Sequence, residues 1–251
     1  MLLNGRVALI TGAGAGLGRA TAQAFLEQGA LVAVNDRYPS LAEEVCRMAG
    51  DDQRCLAVPG DITNNDDIAR MVQTCIERFQ KLDILVNNAG ISPAGLVKTQ
   101  SAEEWTQAYA TNLQGYIFVA QAALPYLKQS RYGRVINISS EIAEHGMAYQ
   151  SAYASTKGGV SALTRSLARL LGQHNITVNA ICPGVVPQTS MVKSFMEGRP
   201  EYGEIIRFYQ DICPLPHKAQ PADIAHVAVL LASDLASYVN GQLITVNGGS
   251  S

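Results

Sequence analysis

Ser140, Tyr153 and Lys157 have the types and spacing of a proton-transfer device. Tyr153 and Lys157 stand four apart in AYASTKGGVSALTRSLARLL, where Val160, Leu163, Leu167 and Leu171 recur with helical period. Positions i and i+4 share a helix face, with Cβ atoms roughly 5–6 Å apart. A free phenol titrates near about 10, too high to trade protons readily at neutral pH. A neighbouring ammonium favours the phenolate, and each unit of downward shift corresponds to about 1.4 kcal/mol. A tyrosine tuned in this way exchanges a proton with a substrate oxygen, as alcohol–carbonyl interconversion requires. Taken alone the pair is a weak signal, because Tyr and Lys at this spacing most often form a solvated helix face.

The surrounding elements strengthen it. Strand-like runs at Val7–Ile10, Leu31–Val34, Cys55–Val58, Ile84–Val86, Val135–Ile138, Thr177–Ile181 and Leu243–Val246 alternate with periodic stretches. These include Leu17–Gln28, Ile68–Phe79, Trp105–Leu127 and Tyr153–Leu171. Strands separated by helices predict an α/β fold with a doubly wound parallel sheet of about seven strands, Rossmann-like, in one domain over 1–251. Continuous apolar runs such as RVALIT and DILVN fit strands covered on both faces. One segment, 184–220, breaks the rhythm with Pro, Met and the aromatics Phe195, Tyr202, Phe208 and Tyr209. It leaves the carboxyl end of a strand, where open parallel sheets bind ligands, and is expected to form a substrate lid. Val185, Val186, Met191, Phe195 and Met196 are its expected apolar lining.

After the first strand comes Thr11-Gly12-Ala13-Gly14-Ala15-Gly16-Leu17-Gly18, followed by a helix. Gly12 permits a tight turn, Gly16 a close approach to a pyrophosphate, and Gly18 close helix–strand packing. The helix N-terminus offers free N–H groups to phosphates. The second strand ends in LVAVNDR, with Asp36 eighteen residues past Gly18. An acid there hydrogen-bonds adenosine ribose hydroxyls and repels a 2′-phosphate, so NAD is expected over NADP. Arg37 is the opposing feature, a guanidinium placed to meet such a phosphate.

Composition excludes other classes. With 47% hydrophobic and 16% charged residues, the 251-residue chain suits a folded enzyme better than a disordered one. A net charge of −2 without basic runs argues against nucleic acid, and no apolar stretch reaches ~20 residues, against a membrane span. The start, MLLNGRVALITG, reads as a strand rather than a signal peptide. Five cysteines without C-x-x-C spacing are expected as free thiols in a reducing cytoplasm. His145, His174, His217 and His226 lack metal-ligand spacing, so no metal is expected.

Over essentially its whole length the chain resembles the compact members of the short-chain dehydrogenase/reductase superfamily. The glycine motif is Thr11 to Gly18; Asp61-Ile62 is similar to the family's adenine-contacting pair, and Asn87-Asn88-Ala89-Gly90 to its N-N-A-G motif. Asn112 resembles the active-site asparagine, and Ser140 precedes Tyr153 by the family's thirteen residues. Pro183-Gly184 and NGQLITVNGG resemble its sixth-strand end and closing strand. Two departures are visible: Asn247 stands where an acid is common, and Gln188 occupies the place of a nicotinamide-contacting Thr, with Thr189 one further on. The resemblance implies hydride transfer with Ser140, Tyr153, Lys157 and Asn112 as the catalytic set. Tyr153 is then the acid/base and Lys157 lowers its pKa and holds the nicotinamide ribose. Ser140 orients the substrate oxygen, and Asn112 fixes a relay water. It also places Gly12, Gly16, Leu17, Gly18, Asp36, Asp61, Ile62, Asn88, Ala89, Gly90, Pro183, Gly184, Val186 and Thr189, with Tyr153 and Lys157, along the dinucleotide.

The expected activity is NAD(H)-dependent interconversion of a secondary alcohol and a ketone, with an NADP(H)-dependent carbonyl reductase as the alternative. A non-catalytic nucleotide-binding scaffold is a further reading, disfavoured because all four catalytic side chains are present. Glu141, Ile142, His145 and Gln150, just before Tyr153, are expected to line the substrate site. The stripes Trp105–Tyr109–Leu113–Tyr116 and Val160–Leu163–Leu167, with apolar residues also on other faces, predict burial against partner copies. The resemblance makes that assembly a homotetramer.

Overall fold

A computed structural model describes residues 1–196 and 200–250 of the chain. The side chains of Phe195, Met196, Tyr202 and Tyr209, expected in the lid, lie outside the described residues. Strand β1 (Val7–Ile10) sends Ala8 and Ile10 into one apolar core and Val7 and Leu9 into another, on opposite faces of the sheet. All four are fully buried, which is why the run is continuously apolar.

Six strands join β1: β2 (Leu31–Val34), β3 (Cys55–Ala57), β4 (Ile84–Asn87), β5 (Arg134–Ile138), β6 (Thr177–Pro183) and β7 (Leu243–Val246). Every pairing is parallel, in the order β3-β2-β1-β4-β5-β6-β7. The sheet is therefore seven-stranded, doubly wound and Rossmann-like, as the alternation predicts. Register follows the faces: Leu9 pairs with Ala33 and with Leu85, and all three enter the same core.

The helices are α1 (Gly16–Glu27), α2 (Pro39–Ala49), α3 (Asn65–Phe79), α4 (Ala102–Tyr109), α5 (Gly115–Leu127), α6 (Ile142–His145), α7 (Ser151–Leu171), α8 (Ser190–Met196), α9 (Pro200–Asp211) and α10 (Pro221–Ala232). Helices α1, α2 and α10 cover one face, and α3, α5 and α7 the other. Local chemistry sets their starts. The Asn64 side chain accepts from Asp66 N at 2.9 Å and Asp67 N at 3.2 Å to begin α3, and Ser101 with Glu104 forms a capping box for α4.

The periodic run Trp105–Leu127, expected as one helix, is interrupted. A π-helical turn at Ala110–Gln114 separates α4 from α5 and carries the buried Asn112. Such wide turns disturb the 3.6-residue period only locally, which hides them from pattern reading. The 184–220 excursion carries α8 and α9, and buried Ile206 of α9 packs on Ala94, Met147, Tyr149, Val185 and Val192.

Candidate active site

Strand order reverses between β1 and β4, so the loops leaving their carboxyl ends part and open a crevice. Thr11 and Asn88 bind its two sides together. Thr11 Oγ1 accepts from Asn88 N at 3.0 Å and Ala89 N at 3.2 Å; Asn88 Nδ2 donates to Thr11 O at 2.8 Å and Gly12 O at 3.0 Å. Gly12 holds φ 61°, and a Cβ there would lie 2.6 Å from Ala89 Cα. A Cβ on Gly18 would lie 2.5 Å from Asn88 Nδ2 and collide with Gly12 O. Any larger residue at either position therefore breaks the junction. No side chain caps the start of α1, so its first N–H groups face the turn. An open cradle at an uncapped helix N-terminus fits a pyrophosphate. Leu17, in the first turn of α1, packs on the core behind it.

Asp36, expected at the adenosine end, is held by two backbone amides. Its Oδ2 accepts from Gly14 N at 3.1 Å and its Oδ1 from Tyr38 N at 3.0 Å. Arg37 turns onto its neighbour, donating from Nη2 to the Tyr38 hydroxyl at 2.5 Å with Cζ 4.7 Å from the ring centroid. A second guanidinium, unforeseen from the sequence, is equally engaged. Arg19 donates to Gly14 O at 2.8 and 2.6 Å and pairs with Glu44 at 3.2 Å. Asp61 Oδ1 accepts from both the amide and the hydroxyl of Thr63 at 2.8 Å. Ile62 is buried against Gly115, where a Cβ would approach Ile62 Cδ1 to 2.7 Å.

The proton-transfer residues lie beside this cradle. A Cβ on Gly90 would stand 3.2 Å from Asn112 Oδ1 and 3.8 Å from Lys157 Nζ, so the loop after β4 touches both halves. Ser140 leaves β5 with its hydroxyl next to the Tyr153 phenol. Its neighbour Ser139 points away, donating to Lys157 O at 3.0 Å beside Ser161 Oγ, also at 3.0 Å. Strand alternation thus leaves Ser140 as the serine on the phenol side.

The contacts of Lys157 and Asn112 bear on the roles expected of them. Lys157 was expected to pull the Tyr153 pKa down. Burial instead pushes the phenol up to about 12, with the Ser140 hydroxyl offsetting part of that rise and Cys182 adding to it. Burial likewise drives Lys157 down to about 7, against an upward pull from Cys182. Its Nζ donates to Ile138 O at 2.6 Å and to the Tyr116 hydroxyl at 3.3 Å, and stands 5.6 Å from the Tyr153 ring centroid. Asn112 was expected to fix a water. Both its amide hydrogens serve protein groups, donating to Ile91 O at 2.8 Å and Thr156 Oγ1 at 3.1 Å, and its Oδ1 accepts from Ile91 N at 2.8 Å. Thr156 in turn donates to Tyr153 O at 2.7 Å. Asn112 thereby fastens the loop after Gly90 to the helix that carries Tyr153.

Thr189 is nine-tenths buried, and a Cβ on Gly16, itself at φ 54°, would lie 3.6 Å from Thr189 Cγ2, whereas Gln188 is exposed. The crevice side of this segment therefore belongs to Thr189. Pro183 ends β6, and Gly184 donates to Val246 O at 3.1 Å with Val186 buried beyond it. Among the expected substrate residues, Glu141 has its carboxylate bound by Asn247 Nδ2 at 2.8 Å and Ser250 Oγ at 3.2 Å, so it ties the closing segment to the sheet. Gln150 donates to Ser92 Oγ at 2.5 Å, and Ile142 is buried. His145 lies at the rim of a cavity of about 580 Å³ with Met147, Tyr149, Glu204 and Phe208. Among the described residues there is no His, Cys, Asp and Glu grouping that would hold a metal ion, and no helix is long and apolar enough to cross a membrane. Pattern reading missed the roles of Tyr116 and Thr156; their only local signals are the steps of four from Asn112 and three from Tyr153.

A dinucleotide cradle at the switch point with a Ser–Tyr–Lys set beside it defines an oxidoreductase that works with a bound dinucleotide. Comparison with known proteins identifies the kind. A family model described as enoyl-(acyl carrier protein) reductase matches residues 12–251. A 3-oxoacyl-[acyl-carrier-protein] reductase FabG of Thermotoga maritima is 35% identical over 253 residues, covering 99% of both chains. The BbsD subunit of (2S)-[(R)-hydroxy(phenyl)methyl]succinyl-CoA dehydrogenase from Thauera aromatica is 37% identical, covering 100% of this chain and 98% of that one. A crystal structure of a 3-ketoacyl-(acyl-carrier-protein) reductase from Brucella melitensis complexed with NADH superposes with a TM-score of 0.91 at 33% identity, covering 99% of each chain. The chain belongs to the short-chain dehydrogenase/reductase superfamily.

Proposed function

We propose that the protein interconverts a secondary alcohol and a ketone with NAD(H). The observation carrying this reading is that Lys157 and Asn112 meet Gly90 beside the Gly12 turn, with Tyr153 on the same helix as Lys157 and its phenol next to the Ser140 hydroxyl. The bound dinucleotide supplies the hydride acceptor or donor. Ser140 holds the substrate oxygen by a hydrogen bond from its hydroxyl. Tyr153 gives that oxygen a proton during reduction, and its phenol, raised by burial, is fully protonated at neutral pH for that task. In the oxidative direction the phenolate, the form left when Tyr153 has given up its proton, takes the proton from the substrate hydroxyl. Lys157 supplies an ammonium at the inner wall, and the hydrogen it does not give to Ile138 or Tyr116 holds the nicotinamide ribose. Asn112 keeps the two walls in register.

NAD rather than NADP is supported by the Asp36 carboxylate at the ribose end and by both nearby guanidiniums being engaged, Arg19 by Glu44 and Arg37 by Tyr38. Met147, Tyr149 and Phe208 around the cavity suit a substrate with an apolar substituent, and the 184–220 segment acts as its lid. We place the protein in the cytoplasm, where its cysteines stay free, as a homotetramer.

A second reading, reduction of a 3-oxoacyl thioester, is favoured by the names of the Thermotoga and Brucella relatives. One experiment separates them: NADH and NADPH absorbance assays against alkyl ketones, aryl ketones and acetoacetyl-CoA, with Tyr153→Phe in parallel. Turnover of simple ketones with NADH, lost about 10²–10⁴-fold in the Tyr153→Phe protein, is expected. Activity confined to acetoacetyl-CoA selects the second reading, and an active Tyr153→Phe protein refutes both.

A further inference from the structure

Tyr116 is fully buried within the core under α5, among the largest side chains so enclosed. A buried phenol hydroxyl ordinarily finds a polar partner. Here it finds two. Tyr116 Oη accepts from Lys157 Nζ at 3.3 Å and donates to Ile138 O at 3.3 Å, while Lys157 Nζ donates to the same carbonyl at 2.6 Å. The three atoms close a triangle behind the active site, joining α5, the end of β5 and α7. Lys157 Nζ also sits 5.2 Å from the Tyr116 ring centroid.

An ammonium has three N–H donors and no acceptor. With one directed to Ile138 and one to Tyr116, a single donor is left for the cleft side, where Tyr153 and the cofactor crevice lie. We propose that Tyr116 is the positioning residue of Lys157, holding the ammonium so that its remaining hydrogen faces the cleft. The hydroxyl does more than fill space. With Lys157 charged, the phenol accepts from Nζ and donates to Ile138. With Lys157 neutral, the phenol donates to Nζ while an amine hydrogen goes to Ile138, so the buried groups stay satisfied in both states. The proton lost on neutralisation comes from the ammonium; the phenol keeps its own, and its hydroxyl hydrogen only rotates.

The consequence is a measurable ionisation. The titratable groups facing Lys157 are Tyr116 from α5, Tyr153 from α7 and Cys182 from β6. Burial raises Tyr116, with Tyr153 adding to the rise, so Tyr116 is a neutral dipole at working pH. A neutral oxygen that accepts from the ammonium favours the charged form, and removing it lowers the Lys157 pKa below its already depressed value near 7.

This inference rests on the proposed role of Lys157 at the nicotinamide ribose, and its test keeps the two apart. NADH affinity is measured by fluorescence from pH 6 to 9 for the full chain and for Tyr116→Phe, Val119→Ala and Lys157→Met. Affinity in the parent is expected to fall as Lys157 loses its proton. In Tyr116→Phe, which keeps the ring and its packing, the fall should come lower by about one pH unit, the worth of one hydrogen bond to a charged group. Val119→Ala removes buried volume from the same helix and should lower Tm without moving the pH profile. A Tyr116→Phe profile that overlays the parent's, or an equal displacement in Val119→Ala, overturns the inference. A Lys157→Met profile identical to the parent's instead overturns the reading of the site on which it stands.

Discussion

The Asp36 carboxylate accepts the Gly14 amide at 3.1 Å, so the acid proposed to select the cofactor also braces the glycine turn. A Cβ on Gly14 would come within 2.6 Å of that carboxylate oxygen, which explains the glycine between the two better-known positions of the motif. On the proposed reading, cofactor choice and turn geometry are coupled in one side chain.

Replacing Asp36 with Ala tests both parts. The ratio of kcat/KM for NAD over NADP should fall by about one to two orders of magnitude, as a charge repulsion and a ribose hydrogen bond are lost together. Loss of the Gly14 acceptor should lower stability by about 1 kcal/mol, read from urea unfolding. A parent protein that prefers NADP would overturn the assignment.

Gly18→Ala should be far more damaging than its single methyl suggests. Its Cβ has no room between Gly12 O and Asn88 Nδ2, both parts of the junction that joins the β1 and β4 loops. Overpacking of this kind costs about 1–3 kcal/mol. Calorimetry should show a lowered Tm, and NADH titration a weakened or absent signal.

Lys157→Met should change stability with a definite pH signature. The folded pKa of Lys157 lies near 7, below the unfolded value of about 10.4, so the unfolded chain binds more protons between these limits. Stability contributed through this group therefore rises with pH across that window, and the penalty for burying the ammonium is full below pH 7. The Tm of Lys157→Met relative to the parent should be highest near pH 6 and decline toward pH 10. A pH-independent difference would show that folding does not depress the Lys157 pKa.

The outer helix faces predict assembly. Trp105 stacks on Tyr109 with centroids 6.3 Å apart, and Tyr109 and Phe118 are each more than a third exposed. Light scattering after size exclusion should give four copies, and Tyr109→Glu with Phe118→Glu should reduce the mass. Tyr116, read from the sequence as part of this stripe, lies inside the subunit and takes no part in it.

Period, punctuation and local motifs carried the fold and the residues of the candidate site. Strands covered on both faces read as continuous apolar runs, and all seven segments fall on the seven strands of the sheet to within a few residues. Thr11–Gly18, Asp36, Asn88, Ser140, Tyr153 and Lys157 were legible because each meets a requirement within its own turn, strand end or helix face. What the tertiary structure alone decided is where those side chains are directed. Tyr116 and Lys157 are 41 residues apart, Glu141 and Asn247 are 106 apart, and Asn112 meets Thr156 across 44. None of these pairings leaves a trace in local periodicity, because a hydrophobic pattern states only that a side chain goes inward. Which buried groups then share hydrogens, and how burial moves Tyr153 and Lys157 in opposite directions, is set when α5, α7 and the strand ends close on one another.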